Sequence, residues 1–163
     1  MYKDDKEYYE SLPRKRIGVA ALIFYKKMLL IIQPGYSSSW ILPGGTVEYE
    51  ESPLEALIRE VQDELSLKIV PKDLIAVDYV ANTDVKGEYL QLLFSTEDLT
   101  EEQAQSIEAK FYEVKSYRFM DFDEALPMLA PNIARRLQSL QDHPGEILYL
   151  ENGKQNPIAL LNL

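Results

Sequence analysis

The stretch that decides the fold is 40-WILPGGTVEYEESPLEALIREVQDELSL-67, in which a glycine pair is followed by a run of acids. Ser52 lies directly before a proline and three residues before Glu55, which is the S-x-x-E pattern of a capping box at a helix start. A helix is therefore predicted from Pro53 to residue 65. Carboxylates crowd this stretch, at positions 48, 50, 51, 55, 60, 63 and 64, and Arg59 is the only base among them. Like charges this dense repel one another, so either a solvated acidic face or a cation site must explain them.

At about 100° per residue, Glu60, Asp63 and Glu64 fall on one side of the predicted helix. A separate apolar stripe is predicted about a third of a turn away, at positions 54, 58, 61 and 65. The helix is expected to dock on the core through that stripe while it directs three carboxylates the same way. A solvated face is the usual explanation of surface acids, but the lysine partners one turn away are missing here. Carboxylates on one rigid face suit Mg²⁺, with Mn²⁺ as an alternative.

The composition limits the class of protein. The chain has 163 residues, of which 46% are hydrophobic, enough for the core of a single domain over residues 1–163. The net charge of −10 argues against binding to long nucleic acids, which requires a basic surface. No apolar run is long enough to span a membrane and cysteine is absent, so a cytoplasmic protein without a membrane partner is expected. The composition leaves a homodimer open.

The order of predicted elements is typical of an α/β or α+β fold. Residues 1–16 are expected to form a loosely held N-terminal arm. Strands are predicted at 17–25, 27–33, 74–81 and 89–96, with one or two more within 107–120, and further helices at 121–129 and 131–141. A tight turn is expected at Tyr25-Lys26. Residues 145–163 form a C-terminal extension, in which Asn152-Gly153 favours a hairpin.

The acidic stretch resembles the signature of the Nudix hydrolases, G-x5-E-x7-R-E-U-x-E-E-x-G-U, where U is aliphatic. The matching residues, at the expected spacing, are Gly45, Glu51, Arg59, Glu60, Val61, Glu64 and Leu67. Two positions depart, because Asp63 stands in place of a glutamate and Ser66 in place of the glycine after the helix. A serine in the left-handed conformation of that glycine would cost up to about 1 kcal/mol or shift the turn. The resemblance implies a Nudix-type α/β/α sandwich with a mixed β-sheet and a loop–helix–loop catalytic motif.

The resemblance also implies an activity, the metal-dependent hydrolysis of the pyrophosphate linkage in a nucleoside diphosphate joined to another moiety. The implied metal ligands are Gly44, through its carbonyl, Glu60, Asp63 and Glu64. Glu60 and Glu64 would be the principal ones and are counted among the catalytic residues. The implied structural residues of the motif are Gly45, Glu51 and Arg59, the last two as a pair that holds the loop to the helix. The implied partner is a small nucleotide-like substrate.

The general base lies outside the motif in this family. Glu113, shortly before an aromatic strand, resembles the position of a base or metal-binding glutamate in some members, and Glu88 is the alternative. For each of them an ordinary exposed loop acid is the competing explanation.

Candidates for substrate contact are few, and Glu88 is counted among them as well. Arg16, in the basic run 14–16, could meet a phosphate, although such a run is more often a solvated entry to a strand. Tyr36 and Trp40 flank the loop before the motif and could stack on a base, and Trp40 equally suits the core. Arg135-Arg136 are expected on the outer face of the last helix.

Several functions stay open at this point. The favoured substrate is a nucleoside triphosphate or a modified one, with ADP-ribose, another nucleotide sugar or a dinucleoside polyphosphate as alternatives. A Nudix-like domain that senses a nucleotide without turnover is a rival, and the retained charges of Glu60, Asp63 and Glu64 count against it. A structural acidic domain that binds a basic partner is the third possibility.

Overall fold

The structure is a computed structural model that describes residues 4–81 and 87–155. Its strands are β1 (Arg16–Leu22), β2 (Phe24–Tyr25), β3 (Met28–Pro34), β4 (Gly44–Thr46), β5 (Pro71–Val80), β6 (Tyr89–Thr96), β7 (Val114–Met120), β8 (Leu148–Glu151) and β9 (Lys154–Gln155). Six of them form one sheet in the order β4-β1-β6-β5-β8-β9. The pairs β1–β6 and β5–β8 are parallel and the other neighbours are antiparallel, so this sheet is mixed, as predicted.

A second sheet has three strands in the order β2-β3-β7. The predicted strand 17–25 is thus divided, because β1 belongs to the large sheet and β2 to the small one, with the fully buried Ile23 between them. Tyr25 pairs with Met28, so the turn consists of Lys26 and Lys27 and lies one residue later than predicted. Both lysines have positive φ, 48° and 66°, as a two-residue hairpin turn with the right twist requires.

Helices cover both sides of the strands. They are α1 (Asp5–Ser11), α2 (Pro53–Leu65), α3 (Glu101–Gln105), α4 (Phe122–Ala125) and α5 (Pro131–Asp142), and a single 3₁₀ turn follows α4. One hydrophobic cluster joins the strands to α2 and α3. A second cluster, on the opposite side, joins them to α4 and α5. The predicted α+β sandwich with a mixed sheet is therefore confirmed.

Helix α2 begins and ends where the sequence predicts, but it packs through a different face. Ser52 and Glu55 form the complete capping box. The buried face carries Leu57, Val61 and Leu65, whereas Leu54 and Ile58 are 47% and 43% exposed. The predicted apolar stripe is therefore wrong at two of its four positions. The residues Leu57, Val61 and Leu65 have the same helical spacing as the predicted stripe. Packing against the sheet selects this second row as the buried one.

Other differences concern segments without a clear periodic pattern. The N-terminal arm contains α1, capped by Asp4, although none of its residues is buried. Strand β4 was not predicted, since three residues with two glycines carry no alternation. Between 107 and 120 only β7 is a strand, because the chain first turns at Lys110, whose carbonyl accepts hydrogen bonds from the amides of Glu113 and Val114.

The C-terminal hairpin is present in the described residues. Strands β8 and β9 pair antiparallel around Asn152 and Gly153, whose φ angles are 54° and 78°. The remainder of the predicted extension, residues 156–163, lies outside the described residues. Within 4–81 and 87–155, no helix combines the length and the apolar character that crossing a membrane requires.

Candidate active site

Strand β4 lies at the edge of the large sheet, against helix α2. On its free side the amide of Gly44 donates to Oε2 of Glu64 at 3.0 Å, and the amide of Thr46 donates to Oε1 of Glu60 at 3.3 Å. Between them, a Cβ built on Gly45 would lie only 2.2 Å from the carboxyl carbon of Glu60. The glycine thus leaves the space that the Glu60 carboxylate occupies against the strand, and two carboxylates lie one turn apart along the strand edge.

The loop before α2 is held by a bidentate ion pair. Nε of Arg59 donates to Oε1 of Glu51 at 2.7 Å, and Nη2 donates to Oε2 at 2.9 Å. The same Nη2 also donates to the carbonyl of Thr46 at 3.1 Å, and the amide of Glu48 donates to Glu51. The hydrogen bonds from Arg59 and from this backbone amide lower the pKa of Glu51 to about 2. The pair expected from the sequence is therefore formed, and it links the helix to both β4 and the loop.

Four glutamates line a single cavity beside this motif. Glu48, Glu60, Glu64 and Glu113 surround a volume of about 460 Å³, called here the acidic cavity. Tyr36, Tyr112 and the backbone of residues 44–46 complete its wall. Glu113, predicted as the general base, therefore lies with the motif carboxylates although it is far from them in sequence. Glu48 had no predicted role, and only its place in the loop brings it here.

Glu64 is the buried member of this group. Burial raises its pKa to about 8, and the negative charges of Glu60, Glu113 and Asp63 act in the same direction, while the Gly44 amide opposes them. Asp63 itself is turned outward, with a side chain 56% exposed that lies 4.0 Å from Nη1 of Arg59. Glu60 is paired with Arg59, whose Nη1 lies 3.1 Å from its Oε1, and the four glutamates together still leave the acidic cavity with an excess of negative charge.

The donor set fits a hard divalent cation. Among the described residues no three acids or histidines already converge at the spacing of a metal cluster. However, Glu60 and Glu64 each use one carboxylate oxygen for a backbone amide of β4, and their other oxygens are available as ligands. All the candidate ligands are oxygen atoms, which Mg²⁺ and Mn²⁺ prefer, and a cation there would oppose both the burial and the neighbouring negative charges that raise the pKa of Glu64.

A second cavity, of about 190 Å³, lies against the other side of β4. We call it the ring cavity. Its polar lining consists of Arg16, Tyr36, Thr46, Tyr89, Gln91 and Arg136. Tyr36 and residues 44–46 line both cavities, so the two spaces adjoin at the edge strand. The volume is below the roughly 300–1,000 Å³ typical of whole small-molecule sites, so it suits one ring system with the remainder of a ligand outside.

Of the residues predicted to contact the substrate, Arg16 and Tyr36 line the ring cavity, whereas Trp40 lies in the core. Arg16 lies over the ring of Tyr89, 4.4 Å from its centroid, and both line the ring cavity, as does the exposed Tyr36. Trp40 is instead 7% exposed and belongs to the core, and Arg118 covers its ring.

Glu88, the alternative base, lies away from both cavities. It is paired with Lys15 and with the hydroxyl of Tyr79, and these two hydrogen bonds lower its pKa. It lines neither the acidic cavity nor the ring cavity. Its present contacts are those of an ion pair at the start of β6.

Arg136 was predicted on the outer face of α5, and this is wrong, since only 4% of it is exposed. It is paired with Asp78, which lies near the end of β5 and is fully buried. Asp78 was the available signal, because a carboxylate within an apolar strand needs a buried cation or donor. The partner lies 58 residues away in the chain, so periodicity within the helix could not identify it.

Comparison with known proteins agrees with this architecture. The model of the NUDIX domain matches residues 14–140, most of the chain. The chain belongs to the Nudix family. Among solved structures, the MutT protein from Methanosarcina mazei Go1 has the same Nudix fold, with a TM-score of 0.64 and 24% identity over 78% of this chain and 96% of that one.

Two Nudix relatives have names that state a substrate. A protein of Lactococcus lactis subsp. cremoris (strain MG1363), named as a probable DHNTP pyrophosphohydrolase, is 29% identical over 107 residues, 61% of this chain and 64% of that protein. A protein of Bacillus subtilis (strain 168), provisionally named as the ADP-ribose pyrophosphatase YjhB, is 27% identical over 77 residues, 47% of this chain and 35% of that protein. The matched regions therefore span less than two thirds of either relative.

Proposed function

We propose that this Nudix protein is a Mg²⁺-dependent pyrophosphohydrolase that acts on a small nucleotide-like molecule. The observation that carries the proposal is the junction of the two cavities at Gly44, Gly45 and Thr46. A base or similar ring in the ring cavity would bring its phosphates around the edge strand to the four glutamates. Since those glutamates alone would repel a pyrophosphate, a divalent cation must be part of the site.

Glu60 and Glu64 would hold the cation, with the carbonyl of Gly44 as a further ligand and Asp63 in an assisting role from its outward position. Mn²⁺ would serve in place of Mg²⁺, as both prefer oxygen ligands. When bound, such an ion neutralises the pyrophosphate oxygens and lowers the pKa of a coordinated water. The bidentate ion pair between Arg59 and Glu51 holds the loop against the helix and so keeps these ligands in position.

The reaction itself requires a water that attacks phosphorus and a group that accepts the proton of this water. Water attacks one phosphorus of the P–O–P bridge, the new P–O bond forms as the bridging bond breaks, and the leaving phosphate takes the bridging oxygen. Glu113 accepts the proton that water releases, because it lines the acidic cavity and its carboxylate is exposed to solvent there. Tyr36 is placed to cover the substrate where the two cavities meet.

Within this class we favour a nucleoside triphosphate or a modified one. The name of the Lactococcus relative, which denotes a pyrophosphohydrolase acting on DHNTP, supports a triphosphate substrate, although dihydroneopterin triphosphate carries a pterin in place of a nucleoside. The name of the Bacillus relative supports ADP-ribose as the alternative, over a shorter matched region. The size of the ring cavity suits either substrate, since both have one ring system next to a ribose or side chain and a pyrophosphate.

The deciding experiment compares wild type with Glu64→Gln, which keeps an oxygen to accept the hydrogen bond from Gly44 and removes the carboxylate proposed as a cation ligand. We expect phosphate or pyrophosphate release from a panel of nucleoside triphosphates, ADP-ribose and a dinucleoside polyphosphate in the presence of Mg²⁺. The variant should lose about 3 kcal/mol of transition-state stabilisation, a rate decrease of about 100-fold. Glu124→Gln, an exposed acid at the start of α4, is the matched control and should keep the full rate.

The rival functions give different results in the same assay. Equal rates for wild type and Glu64→Gln, or no turnover of any substrate, would refute hydrolysis at this site. Mg²⁺-dependent nucleotide binding without turnover would identify a sensor. Absence of both binding and turnover would favour the structural acidic domain.

A further inference from the structure

Arg136, which lines the ring cavity, belongs to a buried ion pair that the proposed hydrolysis does not use. Nε of Arg136 donates to Oδ2 of Asp78, and the amide of Gly153 donates to the other oxygen, Oδ1, at 2.9 Å. Asp78 is fully buried and Arg136 is 4% exposed. Both carboxylate oxygens are therefore occupied, and the guanidinium is fixed in place by a partner in the centre of the large sheet.

The described residues do not provide a hydrogen-bond acceptor for every nitrogen of the Arg136 guanidinium. Nη2 of Arg136 is buried and has no hydrogen-bond partner in the part of the chain that the structure describes. A buried donor without a partner is unfavourable, and such groups in native proteins are usually satisfied by a ligand, an ion or water. Arg136 lines the ring cavity, so a group bound there is the nearest molecule able to supply an acceptor.

The neighbouring strand adds a second polar group on the same face. Asp78 of β5 and Gly18 of β1 are both register partners of Gln91 in β6, so the three residues form one row across the sheet. The Gln91 amide lies over Gly18, since a Cβ built there would be 2.5 Å from its Oε1. The wall of the ring cavity thus presents a guanidinium beside an amide, with Gly18 leaving the space for it.

The hydrogen-bonding groups of this wall determine which edge of a bound ring is preferred. The positive charge of Arg136 is balanced by Asp78, so a phosphate gains little there, and phosphates are expected at the acidic cavity instead. Arginine only donates hydrogen bonds, and its planar fork matches a carbonyl oxygen next to a ring nitrogen, the edge that guanine presents. An amino group in place of the carbonyl would set donor against donor and leave the guanidinium unsatisfied.

We propose that Arg136, positioned by Asp78 and aided by Gln91, determines specificity by binding the oxo edge of a 6-oxopurine or similar ring in preference to a 6-aminopurine. The proposal rests on the proposed function in so far as it assigns the ring cavity to the substrate base. It concerns recognition alone, and no step of hydrolysis depends on it.

The test measures binding of GMP and AMP by calorimetry in the presence of Mg²⁺, which is possible without turnover because neither nucleotide has a P–O–P bridge. Wild type should bind GMP at least about tenfold more tightly than AMP, which corresponds to 1.4 kcal/mol. Arg136→Lys keeps the charge opposite Asp78 but loses the planar fork, and the GMP:AMP ratio should fall to within about twofold. Arg135→Lys is the matched control. The side chain of Arg135 is adjacent to Arg136 in sequence but donates to the carbonyl of Asn152, outside the ring cavity, so this variant should keep the tenfold ratio.

A second variant protects the test against a folding defect. Asp78→Leu combined with Arg136→Met removes both charges together and fills the space with apolar groups, a change that buried ion pairs often tolerate. Thermal unfolding confirms that the variant is folded, and its GMP:AMP ratio should again be within twofold. A wild type that binds both nucleotides equally, or neither, overturns the proposal, as does a tenfold ratio in either folded variant.

Failure of this inference and failure of the proposed function give different results. Equal affinity for GMP and AMP, with hydrolysis of some nucleotide intact, removes the role of Arg136 alone. A GMP preference that disappears in Arg136→Lys, with no turnover of any substrate in Mg²⁺, keeps the recognition site and removes the hydrolase.

Discussion

Gly45 faces the carboxylate of Glu60, and the added methyl group of alanine would fall 2.2 Å from its carboxyl carbon. Because that carboxylate is the flexible end of its side chain, it can turn away with little change elsewhere. We expect Gly45→Ala to lower kcat/KM at least about tenfold, while the free energy of unfolding changes by less than about 1 kcal/mol. Nucleotide hydrolysis and urea denaturation measure the two quantities.

The control for this variant is Gly35→Ala, whose added Cβ would meet only an ordinary contact, 3.7 Å from the carbonyl of Tyr112. It should leave both activity and stability close to wild type. Full activity in Gly45→Ala would show that Glu60 need not occupy its present position.

Ser66 ends α2 in the left-handed conformation, with φ 53° and ψ 25°, and its amide donates to the carbonyl of Gln62. Ser66, which replaces the glycine of the family signature, thus adopts the left-handed turn of that glycine despite the backbone strain. We expect Ser66→Gly to raise the free energy of unfolding by up to about 1 kcal/mol, because glycine adopts this conformation without a Cβ conflict. Chemical denaturation measures it.

Ser106→Gly is the contrasting variant. Ser106 ends α3 with φ −85°, where glycine has no advantage, and its hydroxyl donates to the carbonyl of Gln103. That substitution should therefore destabilise the protein. A decrease in stability for Ser66→Gly as well would mean that the serine side chain contributes more than its backbone strain costs.

At the scale of elements, the link between α2 and the preceding loop depends on pH through Glu51. Its pKa is about 2 in the folded protein against an ordinary value of 4.5. A lowered pKa of an acid stabilises the fold above pH 4.5, and this contribution is lost as the pH falls toward 2. Glu51→Gln should therefore be less stable than wild type at pH 7, and the difference should diminish below pH 4.5 and vanish near pH 2.

Urea denaturation at a series of pH values measures this difference. Glu50→Gln is the matched control, since Glu50 is exposed and adjacent in the same loop, and its stability should follow that of wild type at every pH. A constant difference between Glu51→Gln and wild type from pH 7 to 3 would contradict the assignment of the lowered pKa to this ion pair.

The elements differ in how far the sequence could predict them. The limits of α2 were predicted correctly because Ser52, Pro53 and Glu55 act locally, within one turn. Its buried face was not, since Leu54 and Leu57 both fit an apolar period and only packing against the strands distinguishes them. Strand β4 has no pattern of its own and exists because β1 pairs with it.

At the scale of the whole molecule, the sandwich followed from the order of strands and helices. Its division into two sheets could not be predicted, since residues 17–25 are apolar throughout and nothing marks Ile23 as the point of crossing. The candidate site shows the same limit. The motif acids are close in sequence and were identified, whereas Gln91 and Arg136 reach the ring cavity only through strand register and a distant ion pair.

The edge strand also bears on how copies of this chain meet one another. An exposed strand edge offers free amides to a strand of a second molecule, which is a common route to aggregation. At β4 two such amides, those of Gly44 and Thr46, already donate to Glu64 and Glu60. The two acids proposed as cation ligands therefore also occupy the free amides at this border of the sheet, and their negative charge adds to the barrier against an incoming strand.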